Sequence, residues 1–196
     1  MSDLDWDEHY KTGQVFWDKG TASPPLTEYL KQHSIRGKAL VPGCGRGHDL
    51  AMAVEQGVDA IGVDVAPTAI AEARALYPWI ADRFRIGSFF DPPNEFRDAF
   101  DVVLEHTLLC ALPLEMRGEY RRAVDATLRR GGLLIGVWFI NPALDPGEEG
   151  PPFGISVPEL TALFERGYEV VDDYVPKVAF PNREGRERLR VLRRLQ

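Results

Sequence analysis

The chain is poor in the side chains that staple or metallate small proteins: it has two cysteines, four histidines and three methionines among 196 residues. Cys44 and Cys110 have no C-x-x-C spacing, which argues against a disulfide framework or a zinc site and suits a reducing compartment. A basic excess is missing as well. Lys and Arg number 23 against 30 Asp and Glu, a net charge of -7, whereas a protein that grips nucleic acid needs a cationic track against the phosphates. The basic run from Arg183 to Arg194 does not supply one, because Leu189, Val191 and Leu192 within it read as a final strand with a solvated face. A small-molecule substrate is therefore expected, and no nucleic acid. No apolar run approaches the ~20 residues of a membrane span. The N-terminus, Met1-Ser-Asp-Leu-Asp-Trp-Asp-Glu8, is acidic and lacks the apolar core of a signal peptide, so the expected address is cytoplasmic, with no membrane partner.

What is present is ordinary globular material, 44% apolar and 27% charged, enough for one sizeable core. Residues 1–196 are expected to form a single domain, as a monomer or weak homo-oligomer, with an N-terminal extension over 1–34 and an α/β core over 35–196. A short helix is expected over 26–33. Strands are expected over 38–41, 59–63, 83–86, 100–104, 133–140, 168–174 and 189–192. Helices are expected over 48–56, from Pro67 to before Pro78, over 115–129 and up to Arg166. Strands alternating with helices imply a mainly parallel, Rossmann-like sheet with helices on both faces, its ligand at the carboxyl ends of the strands. The Pro/Gly-rich loop over 141–154 is too long for a bare connection, which suggests a role over a site.

Lys38-Ala-Leu-Val-Pro-Gly-Cys-Gly-Arg-Gly-His48, answered by Ile61-Gly-Val-Asp64, reads as a strand, a glycine turn, a helix and a second strand ending in a carboxylate. Gly43, Gly45 and Gly47 let the backbone turn tightly and let a ligand lie against it. A dinucleotide fingerprint is G-x-G-x-x-G, with its helix N-terminus open to a pyrophosphate, but here His48 occupies the third glycine's place. The pattern G-x-G-x-G suits a ligand with an amino-acid tail and no phosphate, which points to S-adenosylmethionine (SAM). Asp64 then holds the ribose hydroxyls, or alternatively caps the helix after Pro67. Trp6 and Tyr10 are neighbours on one helix face and Trp17 follows a glycine break, so the three form either an aromatic wall over a sulfonium or ordinary packing on the core.

Several motifs in order give the chain a resemblance to a known family. Trp6-x-x-x-Tyr10-x-x-Gly13-x-x-x-Trp17-Asp18-x-Gly20, Leu40-Val-Pro-Gly-Cys-Gly-x-Gly-x-Asp49, the segment from Glu105 to Cys110-Ala111, and Gly150-Pro-Pro-Phe153 resemble the thiopurine S-methyltransferase family, in particular its thiol/halide branch. Tyr10 stands where that branch has a tryptophan. The resemblance implies a class I methyltransferase fold, a seven-stranded sheet with an antiparallel last strand, and SAM as cofactor with S-adenosylhomocysteine as product. It implies a lid of Trp6, Tyr10 and Trp17, with Gly43 and Gly45 carrying the amino-acid end, Asp64 the ribose and Ser88-Phe89 the adenine. Ser88 stands where the branch tends to have an acid, which leaves a backbone contact there. The acceptor pocket is expected at Phe16, Leu108, Leu109, Cys110 and Phe153.

Glu105 and His106 follow the central strand, beside the expected transfer point. The carboxylate either orients the cofactor or caps a turn. His106 is the candidate general base among the histidines, set against a hydrogen-bonded loop histidine, since a thiol with pKa about 8.5 is already partly ionised at neutral pH. Cys110 lacks a partner base and reads as pocket lining. Asp91-Pro-Pro-Asn94 resembles the motif of amino-methylating nucleic-acid enzymes but precedes the wrong strand. The expected reaction is methyl transfer from SAM to a thiol or hydrosulfide, or to a halide. A thiopurine or a metalloid oxyanion such as tellurite is the alternative acceptor. A SAM-binding regulator and a nicotinamide-dependent oxidoreductase are the readings from other classes. No metal is expected.

Overall fold

A computed structural model describes residues 5–140, 142 and 150–195. Most of the long loop expected over 141–154, namely residues 141 and 143–149, lies outside the described residues. The chain order is α1 (Trp6–Lys11), α2 (Pro24–Gln32), β1 (Lys38–Pro42), α3 (His48–Glu55), β2 (Asp59–Asp64), α4 (Pro67–Leu76), β3 (Phe84–Ile86), β4 (Phe100–His106), α5 (Arg117–Thr127), β5 (Leu128–Phe139), α6 (Val157–Phe164), β6 (Tyr168–Tyr174) and β7 (Glu187–Arg194). One seven-stranded sheet runs β3-β2-β1-β4-β5-β7-β6, and β7 is antiparallel to both of its neighbours.

Side chains alternate across each strand, so one strand feeds two cores. Ala39 and Val41 of β1 join Val102 and Leu104 of β4 under α2, α3 and α4, while Leu40, Val103 and Leu134 face α5 and α6 on the other side. Burying a side chain of that size stabilises the fold by roughly 1.5–3 kcal/mol. Helix α2 belongs to the first of these layers. Its Leu26, Tyr29 and Leu30 are buried there, so part of the stretch expected as an extension packs on the sheet. Helix α6 starts on a capping box, Ser156 with Glu159, and Gly167 in the left-handed region closes that segment.

Two stretches differ from the expectation. The helix expected over 115–129 begins as a 3-10 turn at Leu114–Met116, becomes α-helical at Arg117 and ends at Thr127. Leu128 already pairs with Phe100, and the register shifts between Phe100 and Val102, so Arg129–Gly132 form an irregular stretch of β5 and not a turn before it. Sheet pairing overrides the helical propensity of the two arginines there. The second difference matters more for function. Strand β4 runs two residues further than expected, to His106, and alternation then sends Glu105 and His106 to opposite faces of the sheet. Among the described residues, no helix is long and apolar enough to cross a membrane.

Candidate active site

A cavity of about 900 Å³ opens at the carboxyl ends of β1, β2 and β4. Its floor is the glycine turn after β1, where Gly43, Gly45 and Gly47 have φ of 58°, 51° and 81°. The left-handed region is costly for other residues, and space is as limiting as conformation. A Cβ on Gly45 would lie 2.7 Å from the Tyr10 hydroxyl, and one on Gly47 only 2.4 Å from the Phe84 ring. Gly47 thereby packs the start of α3 on its neighbour, the job a third glycine does one position later in a dinucleotide fold.

Asp64 ends β2 facing this turn. Its Oδ2 accepts the Gly45 N–H at 2.8 Å and its Oδ1 the Ala66 N–H at 2.9 Å. Burial pushes the carboxyl above its ordinary pKa, and those N–H groups work against that. Each oxygen keeps a further lone pair, so the residue braces the loop and still has acceptor capacity towards the cavity it lines.

The roof is the N-terminal arm. Tyr10 is 7% exposed and packs on Ala66 and Ala69, with Trp6 and Trp17 at the edge. The Trp6 and Trp17 rings meet edge to face at 5.4 Å, and Trp17 Nε1 donates to the Tyr10 hydroxyl at 3.4 Å. Polar anchors fix the arm at both ends. Asp7 accepts the Thr68 N–H at 2.7 Å in the first turn of α4, and Asp18 receives Arg46 Nη1 at 3.0 Å and His48 Nε2 at 3.1 Å. Burial alone would raise the Asp18 pKa, but His48, the Gly20 N–H and Arg46 outweigh it and hold the carboxyl at about 2. His48, which breaks the dinucleotide pattern, is thus the clasp between arm and glycine turn.

At the far end the wall includes His106, Leu108, Cys110, Phe139, Phe180 and Arg183. His106 Nδ1 lies 2.9 Å from Asp49 Oδ2, its ring stacks on Phe180 at 6.2 Å, and its Nε2 is buried with no hydrogen-bond partner among the described residues. Arg183 lies over the Phe139 ring at 4.9 Å and pairs with Glu187 at 3.2 Å. The Cys110 thiol is pushed up to about 12 by burial and Glu105, which leaves it a packing group and not a nucleophile.

The cavity brings together Trp6, Tyr10, Phe16, Trp17, Gly43, Gly45, Asp64, Ser88, Phe89, His106, Leu108 and Cys110. Three expected residues lie elsewhere. Glu105 faces the α5 layer, 1% exposed, and its Oε1 accepts the Leu108 and Leu109 N–H groups at 2.9 and 3.1 Å, so it caps the turn and does not touch the cavity. Leu109 is 2% exposed in that same core, because the 3-10 turn of 109–111 rotates it inward. Phe153 stays out of the wall; its N–H donates to the Cys110 carbonyl at 2.6 Å, and it is Pro151 and Pro152 that reach the cavity. Sequence reasoning passed over Asp49 and Arg183. Asp49 is 57 residues from the histidine it holds, and Arg183 sat in a run that reads as a solvated strand.

A family model for thiopurine S-methyltransferase (TPMT) matches residues 1–194. The chain belongs to that family. It is accordingly a SAM-dependent methyltransferase. Among relatives of this thiopurine S-methyltransferase family member, a probable thiol methyltransferase 2 of Arabidopsis thaliana is 27% identical over 190 residues, covering 94% of this chain and 82% of the relative. A thiocyanate methyltransferase 1 of Brassica oleracea is 27% identical over 195 residues, with the same two coverages of 94% and 82%. The same fold occurs in the Burkholderia thailandensis 1,6-didemethyltoxoflavin-N1-methyltransferase, solved with S-adenosylhomocysteine, at a TM-score of 0.73 and 23% identity over 96% of this chain and 85% of that one.

Proposed function

We propose that the protein transfers the methyl group of SAM to a small soft nucleophile, a thiol or hydrosulfide, inside the cavity between the glycine turn and the His106 wall. The observation that carries this reading is that one cavity joins a glycine turn and Asp64, beneath the Tyr10 roof, to a wall that includes Leu108, Cys110, Phe139 and His106. The residues present fit the cofactor. Gly45 has no room for a side chain beneath Tyr10, a carboxylate ends β2, and three aromatic rings roof the space between. When bound, SAM supplies a methyl group already activated on a sulfonium. In this reading Gly43 and Gly45 carry its amino-acid end, Asp64 its ribose, Ser88 and Phe89 its adenine, and Trp6, Tyr10 and Trp17 face the cation, each contributing roughly 0.5–2 kcal/mol when desolvated. The chain's own work is alignment and exclusion of water. Phe16, Leu108, Cys110 and Pro151 would shape the acceptor end.

The name of the Arabidopsis relative supports a thiol acceptor, and that of the Brassica relative supports thiocyanate as the second reading. A panel of hydrosulfide, methanethiol, an aromatic thiol, thiocyanate, iodide and tellurite, read by S-adenosylhomocysteine release, tests it. Turnover is expected with the thiols, and a panel in which none of them turns over would overturn the reading.

Binding is tested separately. Calorimetry is expected to show SAM binding, with a rise in melting temperature that grows with ligand concentration. Asp64→Ala is expected to weaken that binding by roughly 1–3 kcal/mol, the usual cost of losing charge-assisted hydrogen bonds. Because Asp64 also braces Gly45 and Ala66, the variant should melt lower as well. An unchanged dissociation constant in the folded variant would leave Asp64 as a brace only.

A further inference from the structure

The unpartnered Nε2 of His106 is the least explained atom of the cavity wall. A buried ring nitrogen without a partner carries a desolvation cost, and unlike the unpartnered Oε2 of Glu105 this one belongs to a side chain that lines the cavity. The other side of the ring is fully specified. Asp49, in the first turn of α3, takes the Ser23 N–H on Oδ1 at 2.6 Å and His106 Nδ1 on Oδ2 at 2.9 Å. A carboxylate only accepts, so Nδ1 carries the hydrogen, and in the neutral ring Nε2 is then a bare lone pair, itself buried, on a ring that lines the cavity.

We propose that Asp49 and His106 form a proton-accepting dyad, His106 as the catalytic base and Asp49 as its positioning residue, and that the acceptor therefore enters as a neutral S–H acid and not as a ready-made anion such as thiocyanate or a halide. This rests on the reading of the cavity's far end as the acceptor site. The acceptor's S–H bond breaks and its proton passes to Nε2. The electron pair left on sulfur forms the new S–CH3 bond while the methyl–sulfonium bond breaks, and that second pair stays on the departing thioether sulfur. The products are a methyl thioether from a thiol, or methanethiol from hydrogen sulfide, together with S-adenosylhomocysteine and an imidazolium paired with Asp49.

The surroundings fit a base that works near neutrality. The charged or titratable groups facing His106 are Asp49 on α3, with His48 beyond it, Glu105 beside it on β4, Glu187 on β7 and Arg183 in the loop before β7. Burial by itself would lower the His106 pKa; Asp49, helped by Glu187, outweighs burial and the Arg183 cation and leaves the ring above its ordinary value. The base must be neutral to act, so turnover should fall as pH drops through that raised pKa. A ready-made anion would gain nothing from such a base, and the buried dyad would serve no step of its transfer.

The test compares wild type, His106→Gln and Asp49→Asn with two acceptors: an alkyl thiol mostly protonated at neutral pH, and a nitro-substituted aromatic thiol already ionised there. His106→Gln is expected to lose at least tenfold in kcat/KM with the alkyl thiol and little with the ionised one, at unchanged SAM affinity. Asp49→Asn should lower the plateau and move the acid limb of the pH profile to lower pH. A second readout needs no SAM: the thiolate absorbance of an aromatic thiol mixed with the protein below that thiol's solution pKa. Wild type should generate the thiolate signal and His106→Gln should not. Equal losses with both acceptors, an unshifted profile, or no thiolate signal in wild type would overturn the dyad. If no acceptor at all yields S-adenosylhomocysteine, the acceptor reading fails instead, and the absorbance measurement still decides whether His106 takes a proton.

Discussion

A protein lacking residues 1–20 is expected to fold cooperatively, to bind SAM roughly a hundredfold more weakly, and to show no methyl transfer, as loss of aromatic contacts with a sulfonium predicts. Among the described residues the two large core clusters contain none before Ala22, so the sheet and its helices are expected to hold without the arm. What the arm buries is small: Tyr10 against Ala66 and Ala69, edged by Trp6, Val15 and Trp17. Its other attachments are polar, at Thr68, Arg46 and His48, and their loss leaves side chains that water can solvate, with Arg46 still paired to Glu72 at 2.7 Å. The cavity loses its roof in the same step. Trp6, Tyr10, Phe16 and Trp17 all border it, and without them water reaches the transfer point. Circular-dichroism melting and a SAM titration on the truncated protein decide the matter together. Unfolding would make the arm part of the core, and a folded protein with full affinity would deny it any role as a lid.

The architecture was legible because its signals are local. A glycine turn between a strand and a helix, Pro67 at the first turn of α4, and Gly57 and Gly167 after α3 and α6 act over a few residues each. Where pairing partners decide, the sequence misleads: Leu128 joins β5 because Phe100 waits beside it, 28 positions away, in defiance of a good helical pattern. The site follows the same division. Asp64 and the glycines are consecutive features of one β-α-β unit and could be read as such. His106 needs Asp49 from helix α3 and Phe180 from the far end of the chain, and no spacing rule connects them. Glu105 shows how one boundary changes a function. With β4 ending at Leu104, both Glu105 and His106 sit in a loop free to face the ligand; with two more strand residues, alternation allots the acid to the core and the imidazole to the cavity.

That allotment gives Glu105 a measurable cost. The carboxyl is wholly buried and its pKa is raised from 4.5 to about 7, chiefly by burial, with the Leu109 and Leu108 N–H groups and His106 opposing. Its Oε1 does structural work. It ties down a turn in which Thr107 is forced to φ 67°, a conformation a β-branched residue avoids, and which sets Leu108 against Gly43. Among the described residues Oε2 accepts no hydrogen bond of ordinary geometry, although the Tyr120 hydroxyl also works against the rise. Unfolding frees the carboxyl to ionise at its ordinary pKa, so wild type loses stability as pH rises from about 4.5 and the loss is complete above about 7. Glu105→Gln keeps the accepting oxygen and removes the ionisation. The variant is expected to match wild type closely near pH 4.5 and to exceed it by roughly 3 kcal/mol at pH 8, 1.36 kcal/mol being the worth of each pKa unit. Urea unfolding at the two pH values measures this. SAM affinity should stay within about twofold, because a residue facing α5 does not touch the cavity. A variant equally destabilised at both pH values would show that the second oxygen, and not the charge, is what the core holds there; a variant of unchanged stability that had lost SAM would return Glu105 to the cofactor.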